Sequence, residues 1–375
     1  MQDILQRIDT NNQVDLVILD FSKAFDVVPH QRLLTKLDHY GIRGQPLNWI
    51  RAFLSGRSQR VLVNGEMSNA VPVTSGVPQG TVLHSVGPLL FLCYINDLPL
   101  VARSQVRLFA DDCLLYRSVT SVRDQEILQE DLDALQHWAE RWQMTFNPKK
   151  CYVMKIHRAR ISKSGPYSFC GSVLEQVKTN PYLGVMLSED AKWGEHIDRT
   201  AKKANSTLGF LRRNLRQCPT KLRELAYNSL VRSVLEYACT VWDPHLAKDI
   251  KHLEAVQRRA ARFVCQDYGR RSSVTEMLST LSWISLQARR RHARLTMMYK
   301  VLNETVAVPA APLLQPAYAR TRASHSRKLQ HLTTHTTIYN QSFFPRTVPE
   351  WNSLPPELVS SESAEAFKAR LATLD

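Results

Sequence analysis

The chain has 375 residues and 44% hydrophobic content, which is enough for two or three domains and argues against wholesale disorder. Because it lacks both an apolar run of about 18 residues and a basic-then-apolar N-terminus, the sequence predicts neither a transmembrane helix nor a signal peptide. Its seven cysteines lie at least 19 positions apart, and this spacing argues against a zinc knuckle or a disulfide framework. We therefore expect a nuclear or cytoplasmic protein that is not secreted.

The net charge of +15 is concentrated in one segment. Residues 191–300 hold 22 Lys and Arg against 9 Asp and Glu, whereas residues 1–190 and 301–375 each contribute a surplus of only one. Such a concentration is typical of proteins that bind phosphate backbones. The alternative is a set of solvated helix faces, but a surplus of 13 favours contact with nucleic acid.

Two acidic strand ends are the main functional signal in the first half of the chain. Residues 14–19 are strongly apolar and predict a buried strand that delivers Asp20 at its end. Residues 106–109 and 113–116 are short apolar runs on either side of Asp111 and Asp112. This pattern predicts a β-hairpin with an acidic tip.

An Asp-Asp pair alone is more often a solvated turn. Adjacent carboxylates repel each other, however, and Mg²⁺ takes carboxylate oxygens while also binding substrate phosphates. With Asp20 added, two neighbouring strands supply the three carboxylates that a two-metal phosphoryl-transfer site needs. We therefore interpret Asp20, Asp111 and Asp112 as a site for two Mg²⁺ or Mn²⁺ ions.

The other elements of the first half mix helices and strands. The sequence predicts one helix that ends before Gly41 and another at 46–54, and Asn64-Gly65 after an apolar run predicts a hairpin. A helical stripe over 127–142 includes Trp138 and Trp142, which are more consistent with core packing than with a stacking platform. This mixture predicts an α+β fold.

The second half is predicted to be helical after short strands at 158–188. Residues 189–300 contain three apolar stripes, whose members are Ala201, Ala204, Leu208 and Leu211; Leu222, Leu225, Ala226, Ser229, Leu230 and Val234; and Leu253, Val256, Ala260, Phe263 and Val264. Basic residues lie mainly between them, as at Arg212-Arg213, Arg258-Arg259 and Arg289-Arg290-Arg291. Residues 307–316 predict a Pro/Ala-rich linker, and the polar stretch 317–345 is predicted to be poorly ordered.

Five motifs in order resemble those of reverse transcriptases from non-LTR (LINE-type) retrotransposons of the jockey and CR1 kind. They are Asp20-Phe21-Ser22-Lys23-Ala24-Phe25-Asp26, Ser75-Gly76-Val77-Pro78-Gln79-Gly80, Phe109-Ala110-Asp111-Asp112, Phe146-Asn147-Pro148-Lys149-Lys150 and Tyr182-Leu183-Gly184-Val185. The tail, with Ser342-Phe343-Phe344-Pro345-Arg346 and Trp351-Asn352-Ser353-Leu354-Pro355, is similar to the far ends of such elements. The resemblance covers nearly the whole chain.

The resemblance implies a polymerase palm, an antiparallel sheet backed by helices, followed by a helical thumb and a C-terminal extension. The expected boundaries are 1–157 for the palm, with most of the fingers missing, and 158–188 for the palm-end strands and primer-grip loop. The thumb with its extension would occupy 189–300, and the linker and element tail 301–375. The implied activity is RNA-directed DNA polymerisation, with an RNA template, a DNA primer or target, dNTP and two Mg²⁺ or Mn²⁺ ions.

Roles for the metal site and the sugar pocket follow from the resemblance. Asp20, Asp111 and Asp112 would be the catalytic metal ligands, joined by the carbonyl of Phe21. Phe25 occupies the position that blocks a ribose 2′-hydroxyl, since a bulky ring favours dNTP by steric clash. The alternative for Phe25 is a simple core residue.

The remaining roles concern the nucleotide, the primer and the duplex. Gln79 and Gly80 would face the incoming nucleotide, and Lys150 would lie near its triphosphate, although a solvent-exposed lysine fits that position nearly as well. The primer end would be gripped by Tyr182, Leu183 and Gly184. Nucleic-acid contacts are expected from Arg212, Arg213, Arg258 and Arg259.

Two departures from the family pattern leave three hypotheses open. Only 19 residues precede Asp20, where relatives carry fingers strands and an endonuclease, and His84-Ser85-Val86 are inserted after the second motif. The first hypothesis is a reverse transcriptase core, and the second is a catalytically inactive element remnant that still binds nucleic acid. The third is a domesticated interaction protein without a nucleic-acid role. The three aspartates favour the first hypothesis over the third, and the missing fingers favour the second over the first.

Overall fold

A computed structural model of the chain describes residues 1–10, 12–80, 86–158, 164–317 and 325–374. The chain divides into two compact units. We call Asn11–Thr179 the sheet unit, and Met1–Thr10 together with Asn180–Asp375 the helical unit. The first helix of the chain, α1 (Gln2–Asp9), belongs to the helical unit.

The sheet unit contains a five-stranded sheet in the order β11-β8-β1-β7-β6 within its described residues. The strands of this unit are β1 (Gln13–Leu19), β2 (Ser58–Gln59), β3 (Leu62–Val63), β4 (Glu66–Met67), β5 (Val71–Pro72), β6 (Gln105–Phe109), β7 (Asp112–Val119), β8 (Tyr152–Ile156), β9 (Ser168–Phe169), β10 (Ser172–Val173) and β11 (Glu175–Gln176). The central strand, β1, pairs antiparallel with both β7 and β8, and all seven of its residues are buried.

Helices cover one face of this sheet. They are α2 (His30–His39), α3 (Gln45–Leu54), α4 (Val86–Ile95) and α5 (Val122–Trp142), with 3₁₀ turns at Leu98–Val101 and Pro148–Lys150. Alternate β1 residues Val17 and Leu19 pack with Leu37, Phe91 and Leu132 of these helices in one apolar core, as the two-residue period of a strand requires. The predicted α+β class is therefore confirmed, and Trp138 is buried in this core as expected.

The helical unit begins with a hairpin and continues as helices. Strand β12 (Thr179–Tyr182) starts at the unit boundary and pairs with β13 (Val185–Ser188). The helices are α6 (Gly194–Asn214), α7 (Thr220–Ala226), α8 (Ser233–Glu236), α9 (Cys239–Trp242), α10 (Ala247–Cys265), α11 (Val274–Thr280), α12 (Leu286–Leu302), α13 (Thr337–Asn340), α14 (Phe343–Asn352), α15 (Pro356–Val359) and α16 (Ala364–Leu371), with a π-helical stretch at Tyr227–Arg232. No helix among the described residues is long and apolar enough to cross a membrane.

The second predicted apolar stripe has the wrong phase. Leu222, Leu225 and Leu230 are exposed, and the buried positions are instead Tyr227, Val231 and Leu235. The buried side chains recur every four residues because this stretch continues through a π-helical turn, which contains more residues per turn than an α-helix. The periodicity of an ordinary α-helix therefore could not predict which face is buried.

Two further expectations are corrected in the helical unit. Arg290 of the triplet Arg289-Arg290-Arg291 is not accessible for the predicted nucleic-acid contact, since its side chain is fully buried and its Nε donates to the Asp243 carboxylate at 2.7 Å. The stretch predicted to be poorly ordered, 317–345, lies outside the described residues at 318–324, and from residue 325 onwards it is packed, with Leu329 and Tyr339 buried. The tail packs because its apolar side chains cover the apolar face of α12.

Candidate active site in the sheet unit

The register of the sheet brings three carboxylates to one edge. Leu19, the last residue of β1, lies opposite Cys113 of β7. Because the two strands are antiparallel, Asp20, which comes after Leu19, and Asp112, which comes before Cys113, lie side by side at the same end of the sheet. Phe109 pairs with Asp112 across the β6–β7 hairpin. The turn between them consists only of Ala110 and Asp111, so all three aspartates lie at this edge.

The hairpin turn is held in an unusual backbone conformation. Ala110 has a φ of 50°, in the left-handed region that L-residues with a Cβ seldom adopt. Such a conformation costs about 1 kcal/mol or more and persists only where its surroundings enforce it. Here the paired strands on both sides enforce it, and the consequence is that Asp111 and Asp112 project from a rigid support.

The electrostatics of the edge reflect this crowding. Burial, followed by the negative charges of Asp111 and Asp20, raises the pKa of Asp112 above its usual range. The chemistry of the donors suits a hard divalent cation, which takes carboxylate oxygens and would relieve this repulsion. Within the described residues, however, no three His, Cys, Asp or Glu side chains converge closely enough to form a ready metal site.

Lys150 supplies a positive charge at this edge. Its Nζ lies 3.4 Å from Oδ2 of Asp20. The backbone explains the approach: the Asn147 amide donates to the Asp20 carbonyl at 2.8 Å and the Ser22 amide donates to the Thr145 carbonyl at 2.7 Å. The fourth motif therefore runs beside the first, and it places Lys150 against a carboxylate.

Phe21 and Phe25 point into the apolar side of this region. The Phe21 ring is buried and stacks on Phe146 with 4.1 Å between centroids. Phe25 is half-buried and stacks on Phe91 of α4 at 4.3 Å. Phe25 is therefore a packing residue that also keeps part of its ring at the surface, a position compatible with both of its predicted roles.

The second motif is anchored to the first through its backbone. The Val77 amide donates to the Phe25 carbonyl and the Gly76 amide donates to the Val28 carbonyl, each at 2.8 Å. Gly76 has a φ of 88°, and a Cβ there would come within 2.7 Å of the Asp26 carbonyl oxygen, so a side chain does not fit. These contacts fix the loop that carries Gln79, whose side chain is exposed.

Gly80, the neighbour of Gln79, is also exposed and has a φ of 68°. The interpretation of Gln79 and Gly80 as nucleotide-facing residues stays a prediction. Of the expected insertion, His84 and Ser85 lie outside the described residues, and Val86 is the first residue of α4. Gly87 follows, and a Cβ at that position would overlap the Pro78 carbonyl oxygen at 1.7 Å. The close approach of helix and loop therefore requires glycine.

Tyr182 ends β12 in the helical unit, and Leu183 and Gly184 form the turn between β12 and β13. Leu183 and Gly184 have φ values of 48° and 75°. Tyr237 holds this turn: its hydroxyl donates to the Leu183 carbonyl at 3.0 Å, and its ring would lie 3.1 Å from a Cβ on Gly184. Sequence reasoning missed Tyr237, because it lies 54 residues further along and no motif includes it.

The predicted nucleic-acid residues lie on two packed helices of the helical unit. Arg212 and Arg213 are exposed near the end of α6, and Arg258 and Arg259 are exposed on α10. The Arg259 Nε donates to Asn205 of α6 at 3.1 Å. The Arg212 guanidinium also lies 5.2 Å from the centre of the exposed Tyr268 ring, a cation–π arrangement that sequence reasoning did not anticipate.

Comparison with known proteins relates the sheet-containing part to one family. Residues 4–187, slightly less than half of the chain, match the model of the reverse transcriptase (RNA-dependent DNA polymerase) family. Among curated relatives, the chain is 27% identical over 337 residues to the probable RNA-directed DNA polymerase from transposon BS of Drosophila melanogaster, covering 83% of this chain and 36% of that protein. The predicted resemblance to non-LTR retrotransposon reverse transcriptases is confirmed.

The RNA-directed DNA polymerase from mobile element jockey of Drosophila melanogaster is 33% identical over 188 residues, which cover 48% of this chain and 20% of that protein. The chain thus spans about a third or less of the length of the curated relatives described here. A telomerase structure from Candida tropicalis with a fragment of telomeric RNA is similar at 11% identity and a TM-score of 0.38, covering 82% of this chain and 50% of that one.

Proposed function

We propose that this chain is the polymerase core of a non-LTR retrotransposon reverse transcriptase, which adds dNTPs to a primer 3′-hydroxyl on an RNA template. The observation that carries the proposal is the register of β1 against β7, which places Asp20, Asp111 and Asp112 at one sheet edge inside the matched family segment. Carboxylates at rigid strand ends are what phosphoryl transfer requires, since its catalysis rests on positioning and charge stabilisation.

Asp20, Asp111, Asp112 and the Phe21 carbonyl are the groups that would hold two Mg²⁺ or Mn²⁺ ions. When bound, such ions lower the pKa of the attacking hydroxyl and stabilise the charge of the leaving pyrophosphate. The protein's own contribution is to hold these oxygen donors on paired strands, with Lys150 close enough to balance their charge in the absence of a divalent ion.

The nucleotide pocket would be formed by Phe25, Gln79 and Gly80. The half-buried Phe25 ring, braced by Phe91, would exclude a ribose 2′-hydroxyl by steric clash. The anchored second motif would present Gln79 to the base or sugar through a hydrogen bond, and Gly80 would allow the nucleotide to approach the backbone.

In the helical unit, Tyr182 and the adjoining turn at Leu183 and Gly184 would support the primer end, with Tyr237 bracing the turn. The exposed Arg212, Arg213, Arg258 and Arg259 would bind phosphates of the template–primer duplex. RNA template, DNA primer and dNTP are therefore the proposed partners of the chain.

Primer extension on an RNA template tests the proposal. We expect dNTP incorporation that requires Mg²⁺ or Mn²⁺ and disappears in Asp111→Asn, whereas Asp133→Asn, which changes an exposed aspartate of α5, retains it. Incorporation that survives Asp111→Asn would overturn the proposed catalytic site. Nucleic-acid binding without any incorporation by a folded chain would instead support the inactive remnant.

Sugar selection offers a second readout with a matched control. Phe25→Leu and Phe91→Leu each remove one ring of the same stacked pair. Phe25→Leu is expected to raise rNTP incorporation relative to dNTP much more than Phe91→Leu, because the fully buried Phe91 side chain acts only through the Phe25 ring. Equal effects of the two substitutions would identify Phe25 as a packing residue alone.

A further inference from the structure

Residues 43–73 of the sheet unit carry an exposed surface that the proposed active site does not use. It consists of helix α3 and the two-stranded ribbon formed by β2–β5 and β3–β4, and we call it the 43–73 surface. Five aliphatic residues of the ribbon are each more than half exposed to solvent: Val61, Leu62, Val63, Met67 and Val71. A two-stranded ribbon with so many exposed apolar groups is marginally stable in water unless something covers it.

An open aromatic pair lies on the helix that precedes the ribbon. Trp49 and Phe53 of α3 stack with 5.4 Å between ring centroids and only 9° between their planes. Trp49 is 51% exposed, whereas Phe53 also packs against the core. Phe53 therefore holds the Trp49 ring in place while much of that ring stays accessible to a stacking partner.

The charge of the 43–73 surface indicates what covers it. The segment contains four arginines and one acidic residue, Glu66, so its net charge is +3. Arg43 pairs with Asp38 at 3.2 Å, but Arg51, Arg57 and Arg60 form no ion pair within the part of the chain that the structure describes. Arginines without an ion pair, in the same segment as an open stacking ring, match the way single strands are bound, by backbone attraction and base stacking.

The base of the ribbon is hydrogen-bonded to the segment that carries the candidate active site. The Val73 amide donates to the Arg57 carbonyl at 2.9 Å and closes the base of the ribbon. Two residues later, the Ser75 hydroxyl donates to the Asp26 carbonyl at 2.9 Å, which joins this segment to the motif that begins at Asp20. A strand bound at the base of the ribbon would therefore lie on the same connected segment as the motif that begins at Asp20.

We propose that the 43–73 surface binds the single-stranded RNA template ahead of the polymerase site, with Trp49 stacking on a base and Arg51, Arg57 and Arg60 contacting phosphates. This inference rests on the proposed function for the identity of the strand. It differs from the duplex contacts assigned to the helical unit, because it requires unpaired bases.

The test compares two RNA–DNA template–primer duplexes, one blunt and one with a 5′ RNA overhang of about ten nucleotides. The full chain should bind the overhang duplex about tenfold more tightly than the blunt one. Trp49→Ala should remove most of that advantage and leave blunt-duplex affinity unchanged, while Trp49→Phe restores much of it. Arg51→Gln with Arg57→Gln and Arg60→Gln should reduce both the advantage and its salt dependence.

Several outcomes would overturn the inference. The first is a Trp49→Ala variant that still binds the overhang duplex more tightly than the blunt one by the wild-type factor. The second is a Trp49→Ala variant that loses as much affinity for the blunt duplex as for the overhang duplex. The third is a wild-type dimer that the double substitution Leu62→Ser and Met67→Ser converts to a monomer. The last result would make the ribbon a protein interface. Asp111→Asn should keep the overhang advantage, so the failure of catalysis and the failure of template binding are separable.

Discussion

The Nζ of Lys150 lies 3.4 Å from Oδ2 of Asp20, although the two residues are 130 positions apart in the chain. The Lys150 side chain is 66% exposed and the Asp20 side chain is 30% exposed. The ion pair therefore contributes little to the stability of the fold. Its importance lies in where it occurs, since the ammonium group occupies the neighbourhood in which a divalent cation would be bound. Lys150 and the metal ion are therefore expected to compete for Asp20.

Lys150→Ala should increase the affinity for Mn²⁺ a few-fold, because the substitution removes a positive charge that already screens Asp20. Lys149→Ala is the matched control, since Lys149 is an exposed neighbour on the same 3₁₀ turn. The measurement is the rise in melting temperature as Mn²⁺ is titrated. An identical titration curve for the two variants would contradict competition at Asp20.

Asp112→Asn should raise the melting temperature of the metal-free chain at neutral pH. The folded pKa of Asp112 is raised, so the folded state binds the proton more tightly and stability falls as pH increases from the unfolded value of about 3.8 through the folded one. The amide removes that penalty together with the metal response. A stabilising effect that is the same at pH 3 and pH 7 would show that the charge is not its cause.

The basic residues of the helical unit predict a salt-dependent affinity for duplex. Each phosphate contact contributes about −0.9 to the slope of log affinity against log salt. Replacing Arg212, Arg213, Arg258 and Arg259 with Gln should flatten that slope by about three to four units. Fluorescence anisotropy at several salt concentrations measures it, and an unchanged slope would favour solvated helix faces over nucleic-acid contact.

The sequence predicted the sheet unit well because its signals are local. The apolar run that ends at Leu19, the turn at Asn64-Gly65 and the acidic hairpin tip each determine their own geometry within a few residues. The proximity of Asp20 and Asp112 could be predicted for the same reason. Each residue adjoins an apolar run that predicts a strand, and antiparallel pairing of the two strands brings the residues together. The position of Lys150 near the triphosphate is implied by the family resemblance and stays a prediction, whereas its contact with Asp20 is seen only in the structure.

What the sequence could not predict depends on distant partners. Arg290 resembles any helix-face arginine until Asp243, 47 residues away, supplies a buried carboxylate. The π-helical stretch shifts the buried face onto Tyr227, and no sequence period indicates that in advance. Tyr237 likewise gains its role only from the turn at Leu183.

The lowered pKa of His196 predicts that the fold loses stability in mild acid. Burial, followed by the nearby Arg199 charge, lowers the pKa of His196 to about 4, and the Met186 amide donates to its Nδ1 at 3.2 Å, which requires that nitrogen to be unprotonated. The unfolded chain therefore binds an extra proton between pH 6.5 and 4, so stability should fall by up to about 3 kcal/mol across that window.

His196→Asn supplies the control for this pH dependence, because its amide oxygen can accept the Met186 bond without titrating. Urea unfolding at pH 7 and pH 5 measures the difference. The variant should lose less stability than the wild type between these values. An equal loss in both proteins would assign the acid sensitivity to other groups.

Asp9 is the residue through which helix α1 is joined to the tail of the helical unit. Its carboxylate accepts hydrogen bonds from the His335 amide at 2.9 Å and from the Thr336 amide and hydroxyl, each at 2.7 Å. Burial alone would raise the pKa of Asp9, but the bonds from Thr336 and His335 outweigh it and lower the pKa. The ionised carboxylate therefore stabilises the fold at neutral pH.

Asp9→Asn should reduce the free energy of unfolding of the helical unit by about 1–3 kcal/mol, because charge-assisted bonds to buried amides are replaced by weaker ones. The wild-type advantage should persist above about pH 4 and disappear as the pH falls through the lowered pKa of Asp9. Asp3→Asn, on the same helix but with a side chain that is 39% exposed, is the matched control and should change stability less. Equal urea midpoints for the two variants at pH 7 would show that Asp9 does not stabilise the contact between α1 and the tail.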